Sequence, residues 1–429
     1  MSTDLPRTWR LGRFRDVLKE SRLPGTNGAT AQKLTVRLYG KGVVPKVNDR
    51  GSAATVYYRR KAGQFIYSKL DFLNGAFGLI PPELDGFEST SDLPCFDIRG
   101  EVDPTWLVAH VSRPAFYKRY RGSAIGSRKA QRVSPAEFLA SRVTFPPLDE
   151  QVAIGACIDR VAGAIASTEA LIQQLRISKH QSMRELLTLG HPRFRTEMQP
   201  LPSTWPMGRV APNIEEIPAH WQLVQLTKIA RLESGHTPSR KRPEYWDGEI
   251  PWISLTDSEG LRGLEIRDTT QTIGTLGLAN SSARLLPKGT VVLLRTASVG
   301  LCSKMGREMA TSQHFANWVC GPKLQPDYLV QVFRHMDREW KRLQAGSVLP
   351  DIYMPVFKKI RILLPPPEEQ EVIADVGRAF DTRIEAETRY LAELTEMKRG
   401  LAKELLSGRV RMPAELIAKL NDTDGRVSE

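Results

Sequence analysis

The chain has 429 residues, enough for two or three domains with real cores, and 41% hydrophobic and 25% charged residues is an ordinary water-compatible composition. No run approaches the roughly 18 apolar residues that cross a bilayer, the opening MSTDLPRTWRLGRFRD has no apolar signal core, and a cytoplasmic location is expected. Four scattered cysteines (Cys95, Cys157, Cys302 and Cys320) argue against a disulfide scaffold or a Cys-x-x-Cys zinc site, while the net charge of +13 points to a polyanion.

Residues 1–145 read as a first lobe, opening near Trp9. Its apolar runs, such as Ala54 to Tyr58 and Gln64 to Ser68, are short, β-rich and separated by glycine and proline turns. They predict a mixed α/β (α+β) lobe with a twisted sheet. Residues 146–190 predict a long helix. Pro146-Pro147 cannot continue a helix backwards, Asp149-Glu150 put negative charge on the first turn, and Gly190 with Pro192 supplies a stop. Ile154, Ile158, Val161, Ile165, Thr168, Ile172, Leu175, Lys179, Ser182 and Leu186 recur in alternating steps of four and three, a heptad seam.

Residues 191–220 are a proline-rich linker, read as an ordered strap; its PLPSTWPMG resembles the opening PRTWRLG. Residues 221–364 are a second lobe, opening near Trp221, with Thr290 to Leu294 and Phe357 to Leu364 as further β-rich runs. Residues 365–408 predict a second long helix with the seam Ile373, Gly377, Phe380, Ile384, Glu387, Leu391, Leu394, Lys398, Leu401 and Leu405, ending at Gly408. Residues 409–429 form a tail without an assignment.

The two helix regions are one block written twice. FPPLDEQVAIGACIDRV at Phe145 and LPPPEEQEVIADVGRAF at Leu364 align without a gap, and both blocks run on to Glu-Leu-Leu, at Glu185 and Glu404. A duplication of this period sets the architecture: two lobes separated by two long antiparallel coiled-coil helices, with an internal pseudo-twofold repeat. Each helix of roughly 40 residues would run about 60 Å. Ile154, Ile158, Val161, Ile165, Ile172, Leu175 and Leu186 are expected to pack on Ile373, Phe380, Ile384, Leu391, Leu394, Leu401 and Leu405. Lys179 and Lys398 share one core-type position. We read them as snorkelling from a seam that splays there, with register-fixing as the alternative. Gly377 predicts loose packing near the start of the second helix.

Landmarks inside the lobes pair as well. Gly63 to Lys69 matches Gly289 to Arg295, Ser89 to Phe96 matches Thr311 to Phe315, and Pro104-Thr105-Trp106-Leu107 matches Pro326-Asp327-Tyr328-Leu329. The loops between them diverge, as two readouts on one frame require.

The positive charge sits on the lobes. Residues 1–145 carry about +11 and residues 221–364 about +7, while the remainder is slightly acidic. Two basic lobes suggest nucleic acid held at two places. Basic and aromatic residues interleave at Tyr57-Tyr58-Arg59-Arg60-Lys61, Tyr117-Lys118-Arg119-Tyr120-Arg121, Ser127-Arg128-Lys129, His236-Thr237-Pro238-Ser239-Arg240-Lys241-Arg242 and Trp340-Lys341-Arg342 with Gln344. From these, Arg59, Arg60, Lys61, Arg121, Ser127, Arg128, Lys129, His236, Thr237, Ser239, Arg240, Lys241, Arg242, Lys341, Arg342 and Gln344 are candidate DNA contacts. Arg37, Lys41, Lys69, Arg295, Lys304, Gln313 and His314 complete the set. Arg and Lys suit phosphates and guanine; Asn and Gln suit adenine. Tyr117 and Trp340 read as core aromatics.

Catalytic signals are missing. The chain has no Asn/Asp-Pro-Pro-Tyr, no G-x-x-x-x-G-K-[ST] and no H-E-x-x-H among its seven histidines. Asn74-Gly75-Ala76-Phe77-Gly78 lacks the strand–loop–helix frame of a cofactor loop, and Glu396-Met397-Lys398 falls inside a helix. Neither catalytic residues nor a metal site is expected.

The doubled block, with its Pro-Pro, Glu-Gln and long heptad helix ending Glu-Leu-Leu, resembles the conserved regions of the specificity subunit of type I restriction-modification enzymes. SGHTPSRKRPEYWDGEIPWISLTD at Ser234 to Asp257 and GQFIYSKLDFLNGAFGLIPPELDGFESTSDLPCF at Gly63 to Phe96 look like that family's target recognition domains. The resemblance implies a subunit without catalysis of its own. Each lobe would read half of a bipartite double-stranded DNA site, and the helices would set the gap and dock two methyltransferase subunits. S-adenosylmethionine, and ATP with magnesium on restriction subunits, would belong to those partners. The alternatives are a specificity subunit of a related phage-defence or methylation-only system, and a coiled-coil scaffold without DNA binding.

Overall fold

The computed structural model describes residues 8–47, 51–122, 132–194, 197–202, 205, 207–211, 214–345 and 350–424. The chain divides into two compact units, residues 1–167 with 391–429, and residues 168–390.

In the first unit the strand Arg10–Arg13 pairs antiparallel with Arg142–Phe145, so the lobe's first and last strands lie side by side. A four-stranded sheet follows in the order Leu18–Ser21, Cys95–Ile98, Phe65–Tyr67, Phe77–Leu79. Its strand Phe65–Tyr67 is buried on both faces, as a strand between two cores must be. Phe65 and Tyr67 point into an aromatic cluster with Phe14, Phe72, Phe96 and Phe138, while Ile66 points the other way, onto Leu34, Val36 and Val43.

The second unit repeats this plan internally. Gln222–Gln225 pairs antiparallel with Arg361–Leu364. A five-stranded sheet runs Ala230–Ser234, Phe315–Cys320, Val291–Leu294, Cys302–Met305, Glu265–Ile266, and its last pairing is parallel. Val291 and Leu293 face one core, and Val292 and Leu294 face another. The matches predicted between Gly63–Lys69 and Gly289–Arg295, and between the helix starts at Pro104 and Pro326, therefore hold in three dimensions. One boundary needs correcting. Phe357 ends a short helix, Met354–Phe357, and the strand begins only at Arg361.

The long helices span Leu148–Leu189 and Pro367–Leu405. All twenty seam positions named from sequence are buried or half-buried. In the first unit Ala153, Ile154 and Ile158 share a core with Leu405 and Leu406. In the second, Met183, Leu186 and Leu187 share one with Ile373 and Ala374. Within each unit the start of one helix thus meets the end of the other, as antiparallel pairing requires. Gly190 and Gly408 both take left-handed φ, +76° and +73°, which ends each helix as expected.

Two expectations about the seam fail. Lys179 does not snorkel: it is buried, and its Nζ lies 2.6 Å from Asp381 Oδ1. Asp381 also accepts from Arg334 at 3.0 Å and Gln331 at 3.1 Å. The alternative reading, a polar residue inside the seam, describes Lys179; Lys398 is half-buried. Nor is Gly377 a loose spot. A Cβ there would sit 2.4 Å from Gln331 Cδ, so glycine lets the helix Pro326–Arg334 close onto the long helix.

The doubled Glu-Gln has a structural role in both units. Glu150 accepts the indole N–H of Trp9 at 3.0 Å, and Glu369 that of Trp221 at 2.8 Å. Gln151 accepts the backbone N–H of Asp103 and donates to the carbonyls of Pro146 and Glu101. Gln370 does the same with Gln325, Pro365 and Lys323. Each pair ties the long helix to the lobe's opening tryptophan and to the residue that begins its short helix. Both side chains are buried with these partners made, as buried polar groups require.

The tail left unassigned is a helix, Ala414–Asp424. Met412 and Leu420 enter the first unit's core, and Arg411 makes a double hydrogen bond to Glu150 at 2.7 and 2.8 Å. In the linker, Met198–Pro200 pairs with Glu216–Pro218, and buried Trp205 donates to the carbonyl of Arg361, in keeping with an ordered strap.

Candidate nucleic-acid interface

In the second unit the strand Ala230–Ser234 leads into the basic loop His236–Arg242. Backbone contacts hold the loop: His236 N–H donates to Thr311 O, and the indoles of Trp252 and Trp246 donate to the carbonyls of His236 and Ser239. Arg240 is exposed, yet fixed. Its guanidinium stacks 3.7 Å from the Trp246 ring centroid and donates to Gln271 at 2.9 Å. A cation held this way loses little further freedom on meeting a phosphate or a base edge. Thr237 donates to the exposed Gln313 at 2.6 Å, so Gln313 is positioned too. His236, Thr237, Ser239, Arg240, Lys241, Arg242 and Gln313 form one polar, basic surface with Gln271, a residue the sequence reading omitted. Only its hydrogen bond to Arg240 reveals it.

Other candidates make contacts within the fold. Arg60 is a correction: it is 1% exposed, because its guanidinium donates to Ser89 Oγ and to the carbonyls of Ser21 and Leu93. Burial holds its pKa below the usual arginine range. Arg295 donates Nη1 to both oxygens of Asp351 at 2.7 and 3.0 Å, which fixes it inward. Lys304 pairs with Asp327 at 2.8 Å, and Arg342 with Glu339 at 2.7 Å, a partner that raises its pKa. His314 is half-buried, and desolvation, with Arg295 nearby, lowers its pKa. Gln344 and Lys69 are half-buried, and Lys341 is exposed.

In the first unit Arg37, Lys41, Arg59, Lys61 and Arg121 are exposed. Ser127, Arg128 and Lys129 lie outside the described residues. Tyr117 and Trp340 are core aromatics as read, 6% and 1% exposed. A second basic concentration surrounds a pocket of about 270 Å³ lined by Arg113, Arg119, Arg142 and His110. Burial and Arg119 lower Arg113 to about 10.

No group of three or more His, Cys, Asp or Glu side chains able to hold a metal ion occurs among the described residues. No helix of the described residues is long and apolar enough to cross a membrane.

The family described as type I restriction modification DNA specificity domain matches residues 218–396. Among individual relatives, the type I restriction enzyme MjaIX specificity subunit of Methanocaldococcus jannaschii is 32% identical over 40% of this chain and 40% of its own length. The MjaVIII specificity subunit of the same organism is 22% identical over 63% of this chain and 62% of its own. These alignments thus span less than two thirds of either relative. Two solved structures share the fold: the type I system S subunit from M. genitalium, with TM-score 0.56 and 12% identity over 94% of this chain and 97% of that one, and a chain from a type I restriction-modification system studied for its complex assembly, with TM-score 0.55 and 16% identity over 95% and 100%. It is the second lobe and its adjoining helix, residues 218–396, that resemble the type I restriction-modification DNA specificity domain.

Proposed function

We propose that the whole chain is the specificity subunit of a type I restriction-modification complex. It performs no chemistry, reads a bipartite duplex with one half-site for each unit, and docks two methyltransferase subunits. The observation that carries this reading is one frame built twice under different loops. Trp9–Glu150 and Trp221–Glu369, with Gln151 and Gln370, hold equivalent strands and helices. The basic segments they carry, Arg37–Lys41 and His236–Arg242, differ in length and sequence. Equal frames with unlike surfaces suit two readouts joined at a fixed gap. On this reading S-adenosylmethionine belongs to the methyltransferase partners, and ATP and magnesium to restriction subunits.

The test is to co-express the chain with its neighbouring methyltransferase and map methylated adenines by long-read sequencing. A split motif with a constant gap, lost when this chain is omitted, is expected. Methylation that persists without the chain would overturn the proposal. Exchanging Ser234 to Arg361 for another lobe should alter one half-site only.

A further inference from the structure

The hairpin Leu34–Val36 with Val43–Pro45 is rooted in the first unit's core and carries a tip the core does not use. Leu34, Val36 and Val43 pack with Ile66 and Ile80, and the register is set, Leu34 opposite Pro45 and Val36 opposite Val43. At the tip Arg37, Leu38, Tyr39 and Lys41 all turn to solvent, and Tyr39 is 68% exposed. Lys41 N–H closes a four-residue turn onto Leu38 O. Its central residues, Tyr39 and Gly40, have φ of +58° and +68°. That is the sign pattern of a type I′ turn, whose first central position ordinarily holds Asn, Asp or Gly. An aromatic residue in left-handed space is an outlier.

The tip is also braced. Tyr39 N–H donates to Asn74 O at 3.0 Å and Gly40 N–H to Gly75 O at 2.8 Å. An ordered turn therefore holds a tyrosine in a strained conformation with its ring in water. Strain of this kind persists where the surrounding structure imposes it, and it clusters at functional positions. Arg37 and Lys41 flank the ring, and no carboxylate occurs from Arg37 to Gly42. The major groove of B-DNA admits a two-stranded β-ribbon.

We infer that this ribbon enters the major groove of the half-site read by the first unit, with the Tyr39 ring against base edges and Arg37 and Lys41 on the flanking phosphates. The inference rests on the DNA-recognition reading above and assigns Tyr39 as a specificity-determining residue. Tyr39→Ala removes the ring and keeps the strain; Tyr39→Gly removes both.

The test selects duplexes from a random library with the full chain bound to its methyltransferase, for wild type and both variants, and measures affinity for the selected site and the melting temperature. Both variants should relax the first unit's half-site, leave the other half-site unchanged and weaken binding about tenfold or more. Tyr39→Gly should melt no lower than wild type, which excludes unfolding as the cause. Variants that select the wild-type motif with wild-type affinity would overturn the inference and leave the proposed function standing. A wild-type complex that enriches no motif would overturn the proposed function, and this inference with it.

Discussion

Lys179 and Asp381 meet at 2.6 Å across 202 residues of sequence, and both side chains are largely buried. Desolvation lowers the lysine's pKa, while Asp381 opposes that shift. Asp381 is the acceptor for Lys179, Arg334 and Gln331 together. Its removal takes the carboxylate from two largely buried cations, Lys179 and Arg334. Asp381→Ala should lower stability by about 3 kcal/mol, measured by urea denaturation. Lys179→Met should cost less, because Arg334 still neutralises the carboxylate.

Glycines in the long helices divide by what surrounds them. Gly163 and Gly400 have nothing within 4 Å of an added Cβ, whereas at Gly377 that Cβ meets Gln331. Gly163→Ala and Gly400→Ala should each stabilise the protein by about 0.5–1 kcal/mol through helix propensity. Gly377→Ala should instead destabilise it by about 1–3 kcal/mol. Thermal melts of the three single variants check the contrast.

Acid should loosen the second unit through His335. Burial holds its pKa at about 4, against 6.5 for the exposed side chain, with Lys179 and His180 adding to the shift and a hydrogen bond to Gln331 O opposing it. Between these values the unfolded chain binds a proton that the folded chain refuses, so stability rises with pH across that window. This contribution is fully present above pH 6.5 and is lost as pH falls towards 4, by about 3 kcal/mol. His335→Gln should flatten stability between pH 4 and 6.5; an unchanged profile would assign the acid loss elsewhere. In the first unit the pKa of His110 is also held well below the usual histidine range, by burial first and then by Arg113 and Arg119.

Arg240 and Arg295 should fail in different ways. Arg240→Ala removes an exposed, stacked cation; DNA affinity is expected to drop about tenfold and stability by under about 1 kcal/mol. Arg295→Ala removes the cation beside Asp351, which keeps the Thr296 hydroxyl at 3.0 Å, and should cost about 2 kcal/mol of stability. Paired melting and DNA-binding titrations separate the two roles.

The sequence carried most of the frame because duplication displays it twice. Pro-Pro, Glu-Gln and the seam recur, and their partners Trp9 and Trp221 open both lobes. Contacts present in one unit alone were hidden. Lys179 recurs as Lys398, but Ala162 occupies the position equivalent to Asp381, so the repeat could not announce the pair. Arg411 and the helix Ala414–Asp424 have no second copy to compare with. Among the candidate contacts, Arg60 shows the limit of reading charge locally. It is taken off the surface by carbonyls from Ser21 and Leu93, which only the folded sheet brings together. The left-handed φ of Tyr39 has no local signature either, since tyrosine is an unusual choice there.

The first unit's core is assembled from both ends of the chain, Ile154 and Ile158 from one side and Leu405, Leu406, Met412 and Leu420 from the other. On the ribosome these halves emerge roughly 250 residues apart, about 10–50 s at ordinary rates of synthesis. The second unit is a single continuous segment, residues 168–390, so it is complete in the nascent chain while the first still lacks its last apolar side chains. The part made first is therefore finished last, and in that interval its unfilled core is the surface a chaperone would meet.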